Sequence, residues 1–252
     1  MYREIKANVI RKMLSVESGY SVDALITYGT HPKQSTEGSF DKLIRKLFPG
    51  SKLETSFTGF FQDITSYKIK NKRLWFCVTY GGAMTSEIVH ISALLGAQKV
   101  LHGGSCGALN ETLQIGDFLV PKSSNANESC TRMYQRDGNT THRSDTELSQ
   151  SVFDTLDATA SRGDIVSIQA MLAETKEDVE KWSQAKYQAV DIETATVFAV
   201  ATHFSIPAAA LLYVSDNLIT GNLVHSTNEE QQAVKINAKH HTLKTLLKAA
   251  CT

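Results

Sequence analysis

The 252 residues are 42% hydrophobic and carry 26 basic and 26 acidic side chains, so the formal net charge is zero. This composition is ordinary for one large globular α/β domain. Balanced charge argues against nucleic acid or an anionic membrane as the main partner, because both are bound through clustered Lys and Arg. The first residues lack the apolar core of a signal peptide, and no apolar run is long enough to span a bilayer. The four cysteines form no C-x-x-C pair. We therefore expect a cytoplasmic protein with reduced thiols and no zinc site.

Short apolar runs alternate with amphipathic helical patterns along the chain, which predicts a largely parallel sheet covered by helices. In chain order, the predicted strands are Ala24–Tyr28, Leu74–Tyr80, Lys99–His102, Asp117–Val120, Ile165–Met171, Ala189–Ile192 and Ala208–Val214. No repeat, linker or low-complexity tract divides the sequence. We interpret residues 1–252 as a single domain.

Helices are predicted between several of these strands. The first has apolar residues at helical spacing, a choice of two caps and a terminal glycine: Ile88, Ile91, Leu94 and Leu95, with Ser86 or Thr85 before them and Gly96 after them. A second helix is predicted over Glu193–Phe204.

The last helix is predicted to begin at a capping box formed by Thr227 and Glu230. Its buried face would comprise Ile236, Leu243, Leu246, Leu247 and Ala250. The polar stretch Asn125–Thr146 is either a mobile active-site loop or a surface excursion, and its length slightly favours the former.

A cluster of glycines surrounds Ser105 in "VLHGGSCGAL". Glycine weakens a strand, and such clusters usually mark close approach of the backbone to another group. We expect a turn after His102, and exposed N–H groups in such a turn bind anions. A tight turn without a ligand is equally consistent with these residues.

Polar residues follow the carboxyl ends of the predicted strands, which is where open α/β sheets bind ligands. The polar side chains are Lys33, Glu193, and Ser215 with Asp216. Glycines follow these strands as well, namely Gly29, Gly81, Gly82 and those of the segment Gly103–Gly107. Glycine turns, two carboxylates and a lysine at one edge predict a small anionic or polyhydroxylated ligand.

Each of these residues also has a purely structural explanation. Glu193 begins a helix, where a carboxylate offsets the macrodipole. Asp216 follows an apolar strand and either caps a turn or has the raised pKa of a general acid. Met171 is of a type more often found in a core than in a ligand wall.

Four segments, "LLGAQKVLHGGSCGAL", "IGDFLVP", "AVDIETATVFAVA" and "LLYVSDN", together resemble the nucleoside phosphorylase superfamily, which includes purine nucleoside phosphorylase and uridine phosphorylase. The similarity runs in order from about Ala24 to Asn217. It implies a single-domain three-layer α/β/α sandwich with a twisted mixed central sheet. It further implies a homo-oligomer that is assembled from dimers and could be a hexamer. The implied substrate is a nucleoside, with phosphate as co-substrate and without a metal or organic cofactor.

The resemblance also implies roles for individual residues. Asp216 matches the acid that protonates N7 of a purine, with Ser215 beside it. Glu193 matches the acid that binds the ribose hydroxyls, while Ile192 and Met171 fall where residues pack on the sugar and on the base. The phosphate-binding positions are Gly29, Lys33, His102 and Ser105.

Three departures from the family pattern bear on the reaction. His102 and Lys33 stand where the family has arginines, and Glu229 or Glu230 stands where a cation assists the catalytic acid. Arginine is a permanently charged fork, whereas an imidazole loses its charge near neutral pH, so we expect weak phosphate binding that weakens as pH rises. Phosphorolysis of a purine nucleoside is the favoured function. Hydrolysis by a nucleosidase, or a non-catalytic nucleoside-binding role, are the alternatives.

Overall fold

The computed structural model describes residues 4–30, 33–57, 64–126, 130–223 and 226–252. The strands in these ranges are β1 (Ala24–Gly29), β2 (Lys52–Ser56), β3 (Ile64–Ile69), β4 (Lys72–Thr79), β5 (Lys99–Ala108), β6 (Phe118–Ala126), β7 (Thr141–Arg143), β8 (Ala160–Ser167), β9 (Ala189–Asp191) and β10 (Ala208–Asn217). The α-helices are α1 (Ala7–Met13), α2 (Lys33–Leu47), α3 (Gly81–Leu94), α4 (Cys130–Tyr134), α5 (Thr146–Thr155), α6 (Lys176–Gln184), α7 (Thr194–His203) and α8 (Glu229–Cys251). A 3₁₀ turn covers Met171–Ala173. Within these ranges, no helix combines the length and apolarity needed to cross a bilayer.

The strands form one mixed sheet in the order β10-β6-β8-β9-β5-β1-β4-β3-β2, with β7 paired to β6. β1 pairs in parallel with both β4 and β5, and β5 pairs in parallel with β10. This last pairing brings the two ends of the run from β10 to β5 together, so those five strands close into a small barrel. The sequence patterns did not predict this closure. Cys106, Leu119, Leu212 and Val214 are among the side chains of the cluster that these strands share.

Helices cover both faces of the sheet. On one face, α2, α5 and α8 contribute to a cluster in which Phe40 of α2 stacks on Phe76 of β4 with 3.8 Å between ring centroids. On the other face, α1, α3 and α7 pack on the second cluster, which includes Trp75 and Phe198. The expected three-layer arrangement around a mixed sheet is confirmed.

The glycine cluster is strand, and the predicted turn after His102 is wrong. β5 continues to Ala108, with β1 beside it up to Gly104 and β10 beside it to its end. The backbone N–H groups up to Gly104 therefore lie between two paired strands. A Cβ on Gly103 would lie 2.5 Å from Leu246 Cδ1, and one on Gly104 would lie 3.2 Å from the Gly29 carbonyl oxygen. The glycines let α8 and β1 approach β5 closely.

The helix after β4 begins earlier than its predicted caps. α3 starts at Gly81, and the hydroxyls of Thr85 and Ser86 donate to the carbonyls of Gly81 and Ala83 from within the helix. The predicted end is confirmed, because Gly96 follows Leu95 with a φ of +95°.

Other boundaries also moved. β8 ends at Ser167, four residues before the predicted strand end at Met171, and β2, β3 and β7 had not been predicted. The stretch Asn125–Thr146 holds the end of β6, α4, β7 and the start of α5 rather than one irregular loop, although residues 127–129 lie outside the described part of the chain.

The final helix begins one residue later than predicted. The capping box is formed by Asn228 and Gln231, in place of Thr227 and Glu230. Ile236 is 60% exposed and does not belong to the buried face, whereas Leu243, Leu246, Leu247 and Ala250 do.

Candidate active site

The carboxyl ends of β1, β5 and β10 lie side by side. Gly29 at the end of β1 pairs with Gly104 of β5, and Asp216 near the end of β10 pairs with Gly107. Three residues of extended strand span about 10 Å. The partners of Gly29 and of Asp216 on β5 are therefore about 10 Å apart along that strand.

Glu193 is buried beside Gly29. It precedes α7, but its carboxylate reaches across to α3, where Oε1 accepts the Gly81 N–H at 2.8 Å. A carboxylate at this end of α3 is favoured by the helix dipole. Burial, and next the neighbouring Asp191, raise the pKa of Glu193 to about 8, while the bond from Gly81 opposes the shift. The side chain is therefore largely protonated at neutral pH.

Asp191, which sequence reasoning did not single out, completes the start of α7. Its Oδ2 accepts the Thr194 N–H at 2.9 Å, and Ser167 Oγ donates to its Oδ1. Burial raises the pKa of Asp191, and these hydrogen bonds act in the opposite direction. An acid within the apolar run "AVDI" was the available signal for this residue.

His102 is fully buried on β5 and lies close to both acids. Its Nδ1 is 2.9 Å from Thr27 Oγ1, and its Nε2 is 4.0 Å from Asp191 Oδ2 and from Glu193 Oε2. Burial lowers the pKa of His102 to about 3. The imidazole is therefore neutral from pH 6 to pH 8. Burial thus opposes the titration in this range on which the predicted pH dependence of phosphate binding depends, and that dependence stays a prediction.

Asp216 lies at an irregularity of β10. The pairing of β10 with β5 shifts register between Val214 and Asp216, and Ser215 Oγ donates to Asp216 Oδ1 at 2.5 Å. Burial raises the pKa of Asp216, while Ser215 and the charge of Lys235 counteract the rise. A partly buried carboxyl with a raised pKa can hold and donate a proton.

Lys235 and Glu174 are charged neighbours of Asp216 that sequence reasoning missed. Lys235 on α8 is only 7% exposed, its Nζ donates to Thr227 Oγ1 at 3.3 Å, and the charge of Asp216 raises its pKa against the larger lowering by burial. Burial, and next Asp216, raise the pKa of Glu174 to about 7. The cation near Asp216 thus comes from Lys235, whereas Glu229 is exposed.

The residues expected at phosphate do not all meet. Gly29 and His102 lie near Glu193, but Ser105 bonds to Tyr213, which belongs to the cluster under α8. Lys33 is the first residue of α2. Burial raises the pKa of the Cys77 thiol, and the positive charge of Lys33 partly opposes this rise.

The two apolar candidates differ in burial. Ile192 packs partly buried against the cluster around Trp182, and its carbonyl accepts from Gln169 Nε2 at 3.4 Å. Gln169 also accepts the Gly82 N–H at 3.1 Å, which ties this region to the start of α3. Met171 lies in the 3₁₀ turn with 45% of its surface exposed, so it is not a core residue.

A cavity of about 280 Å³ lies elsewhere in the molecule. It is lined by residues 143–145 at and after the end of β7, by Phe198, Ala201 and Thr202 of α7, and by residues 205–208 leading into β10. Ala208 is at the opposite end of β10 from Asp216. This cavity is therefore separate from the carboxylates described above.

The sequence matches the model of the Phosphorylase superfamily over residues 36–249. The chain belongs to this superfamily. The expected relationship to nucleoside phosphorylases is thereby confirmed.

The chain is 24% identical to a DeoD-type purine nucleoside phosphorylase of Alkaliphilus metalliredigens, over 74% of this chain and 87% of that protein. It is 30% identical to a guanosine phosphorylase of Halorubrum lacusprofundi, over 66% of this chain and 72% of that protein. The fold is similar to that of a uridine phosphorylase from Vibrio fischeri ES114, with a TM-score of 0.75 at 17% identity, covering 94% of this chain and 95% of the other.

Proposed function

We propose that the protein cleaves the N-glycosidic bond of a purine nucleoside and transfers the sugar to phosphate, releasing the free base and (deoxy)ribose 1-phosphate. The observation that carries this proposal is Asp216, a partly buried acid with a raised pKa at the same sheet edge as the buried Glu193. The named relatives include a purine nucleoside phosphorylase and a guanosine phosphorylase, which supports a purine as the leaving group.

In this reaction a phosphate oxygen forms a bond to C1′ as the bond from C1′ to the base nitrogen breaks. The electron pair stays on the base, and the proton of Asp216 passes to N7, so the base leaves neutral. Transfer of a proton from a placed acid contributes roughly 10²–10⁴-fold to such a rate. The Ser215 hydroxyl at 2.5 Å orients the carboxyl of Asp216.

Glu193 would bind the ribose hydroxyls. Its Oε1 is held by Gly81, which fixes the carboxyl group without using Oε2 in a hydrogen bond within the described part of the chain. Because burial keeps Glu193 largely protonated, it can both accept from one hydroxyl and donate to the other. Ile192 and Met171 are the proposed apolar contacts to sugar and base.

Phosphate would lie near Gly29 and the first turn of α2, where the helix dipole and Lys33 both favour an anion. We also assign His102 to this region as a neutral hydrogen-bonding group, and Ser105 as a contact that requires its hydroxyl to turn from Tyr213 to the phosphate. No metal or organic cofactor takes part in these steps.

Hydrolysis by a nucleosidase is the second candidate, and one observation favours it. His102 is fully buried and neutral, so it supplies none of the positive charge that an arginine would offer to phosphate. In that case water replaces phosphate at C1′, and the role of Asp216 is unchanged.

The test is base release from guanosine, inosine and uridine, measured by chromatography with and without phosphate. Phosphorolysis requires phosphate and yields a sugar 1-phosphate. Hydrolysis releases the base without phosphate and yields the free sugar. Asp216→Asn should lose activity roughly 10²–10⁴-fold, and the exposed Asp154→Asn serves as the matched control. If no nucleoside releases its base with either acceptor, the proposal of an enzyme is wrong.

A further inference from the structure

We propose that His102, Asp191 and Glu193 form a binding site for one divalent transition-metal ion of the Zn²⁺ or Mn²⁺ type. The starting observation is His102 Nε2, which is buried and has no hydrogen-bond partner among the described residues. It points to two carboxylate oxygens, Asp191 Oδ2 and Glu193 Oε2, each 4.0 Å away. One nitrogen and two oxygens lie within 4.8 Å of one another, and all three residues are buried.

The distances suit an ion better than direct hydrogen bonds. A separation of 4.0 Å is too long for a hydrogen bond from the ring to either carboxylate. An ion bonded at about 2.0–2.2 Å to each ligand needs ligand atoms roughly 3.3 Å apart. Side-chain rotations that bring Nε2 about 0.7 Å closer to each oxygen, and the two oxygens up to about 1.5 Å closer to each other, would therefore complete the site.

Each proposed ligand is already held through another contact. Thr27 Oγ1 lies 2.9 Å from His102 Nδ1, Ser167 donates to Asp191 Oδ1, and the Gly81 N–H donates to Glu193 Oε1 at 2.8 Å. Asp191 Oδ2 accepts from both the N–H and the hydroxyl of Thr194, so the Thr194 hydroxyl must turn away for this oxygen to bind an ion. Such outer hydrogen bonds orient metal ligands in proteins. In the tautomer that donates its Nδ1 proton to Thr27, the lone pair of Nε2 faces the two carboxylates.

The donor atoms and charges select the class of ion. A ring nitrogen with two carboxylates suits Zn²⁺ or Mn²⁺, whereas Mg²⁺ and Ca²⁺ favour oxygen ligands alone. Binding of the ion would release the proton that burial keeps on Glu193. The two carboxylates and the neutral imidazole then carry a charge of −2, which a divalent ion cancels. The exposed fractions of the side chains are 0% for His102, 1% for Asp191 and 4% for Glu193, so an ion would enter past Glu193.

A bound ion would use the carboxyl group that we propose binds ribose. We therefore expect the ion and the nucleoside to exclude each other, which makes the ion an inhibitor of the proposed reaction. This part of the inference rests on the proposed function, but binding of the ion does not.

Binding is measured on the chelator-treated full chain by calorimetric titration with Zn²⁺, Mn²⁺ or Mg²⁺ alone. We expect one Zn²⁺ or Mn²⁺ per chain and at least tenfold weaker binding of Mg²⁺. Thr27→Val, which removes only the support of the ring, should weaken binding 10–100-fold. His102→Asn should weaken it further. The visible absorption bands of Co²⁺ loaded in place of Zn²⁺ should need a higher Co²⁺ concentration to appear in Thr27→Val and should be lost in His102→Asn.

The exposed His240→Asn is the matched control and should bind as the parent does. Absence of saturable binding, or equal binding by the parent and Thr27→Val, would overturn the proposed metal site, and neither result depends on His102→Asn folding. If the ion binds as expected and guanosine does not compete with it, the metal site stands and the ribose-binding role of Glu193 fails.

Discussion

Gly29→Ala tests whether Glu193 is held where a nucleoside needs it. A Cβ at position 29 would lie 2.5 Å from Glu193 Oε2 and 2.8 Å from its Cδ, whereas ordinary contact begins near 3.4 Å. The carboxyl group must therefore move by about 0.9 Å. Such a shift breaks or lengthens its 2.8 Å hydrogen bond from Gly81.

Two losses should follow from this displacement. Leaving a buried polar group unsatisfied costs about 1–3 kcal/mol, and each kcal/mol lowers Tm by about 2–4 °C in a chain of this size. The two hydrogen bonds between the protonated carboxyl of Glu193 and the ribose hydroxyls are worth together about 1–3 kcal/mol, so Kd for a nucleoside should rise roughly 5–150-fold. Calorimetric titration with guanosine and a melting curve measure the two effects.

The double variant Gly29→Ala/Glu193→Ala separates this mechanism from a general effect of the added methyl group. Without the carboxylate, the Cβ has lost its nearest neighbours, so Gly29→Ala should add almost nothing to Glu193→Ala. Gly38→Ala, in α2 with no atom within 4 Å of the new Cβ, is the control and should leave affinity unchanged. Wild-type affinity in Gly29→Ala, or additive effects in the double variant, would refute the reasoning.

Three further predictions concern charge and packing. Lys235→Met removes the cation that lowers the pKa of Asp216, so the protonated acid should persist to higher pH and the alkaline limb of base release should move up by about half to one pH unit. Glu174→Gln should leave the same limb nearly unchanged, because Asp216 raises the pKa of Glu174 whereas Glu174 is not among the groups that shift the pKa of Asp216; a shift as large as that of Lys235→Met would contradict this electrostatic account. Gly103→Ala places a Cβ 2.5 Å from Leu246 Cδ1 and should destabilise the fold by about 1–3 kcal/mol in denaturant unfolding, with partial rescue by Leu246→Ala. Equal stability of Gly103→Ala and the parent would show that α8 does not pack closely on β5.

Patterns of apolar residues in the sequence predicted those strands and helices whose burial is visible in neighbouring residues of the chain. The apolar runs at β1 and β10 and the helix α7 were predicted close to their observed bounds, because burial on both faces or helical spacing is visible in the residues themselves. Polar residues after such strands placed Glu193 and Asp216 at one sheet edge. The sequence also contained the family motifs that the superfamily model matches.

The extent of β5 and the electrostatics of the site depend on residues far apart in the chain. The glycines of β5 remain in a strand because β1 and β10 pair with them, and their missing side chains leave space for Leu246 of α8 and Gly29 of β1. The sequence around Ser105 does not show which residues those neighbours are. Likewise, His102 is neutral because the fold buries it completely, and Lys235 influences Asp216 because α8 packs beside β10. A pKa depends on desolvation and on charges brought close in space, so these properties were decided only when the helices packed on the sheet.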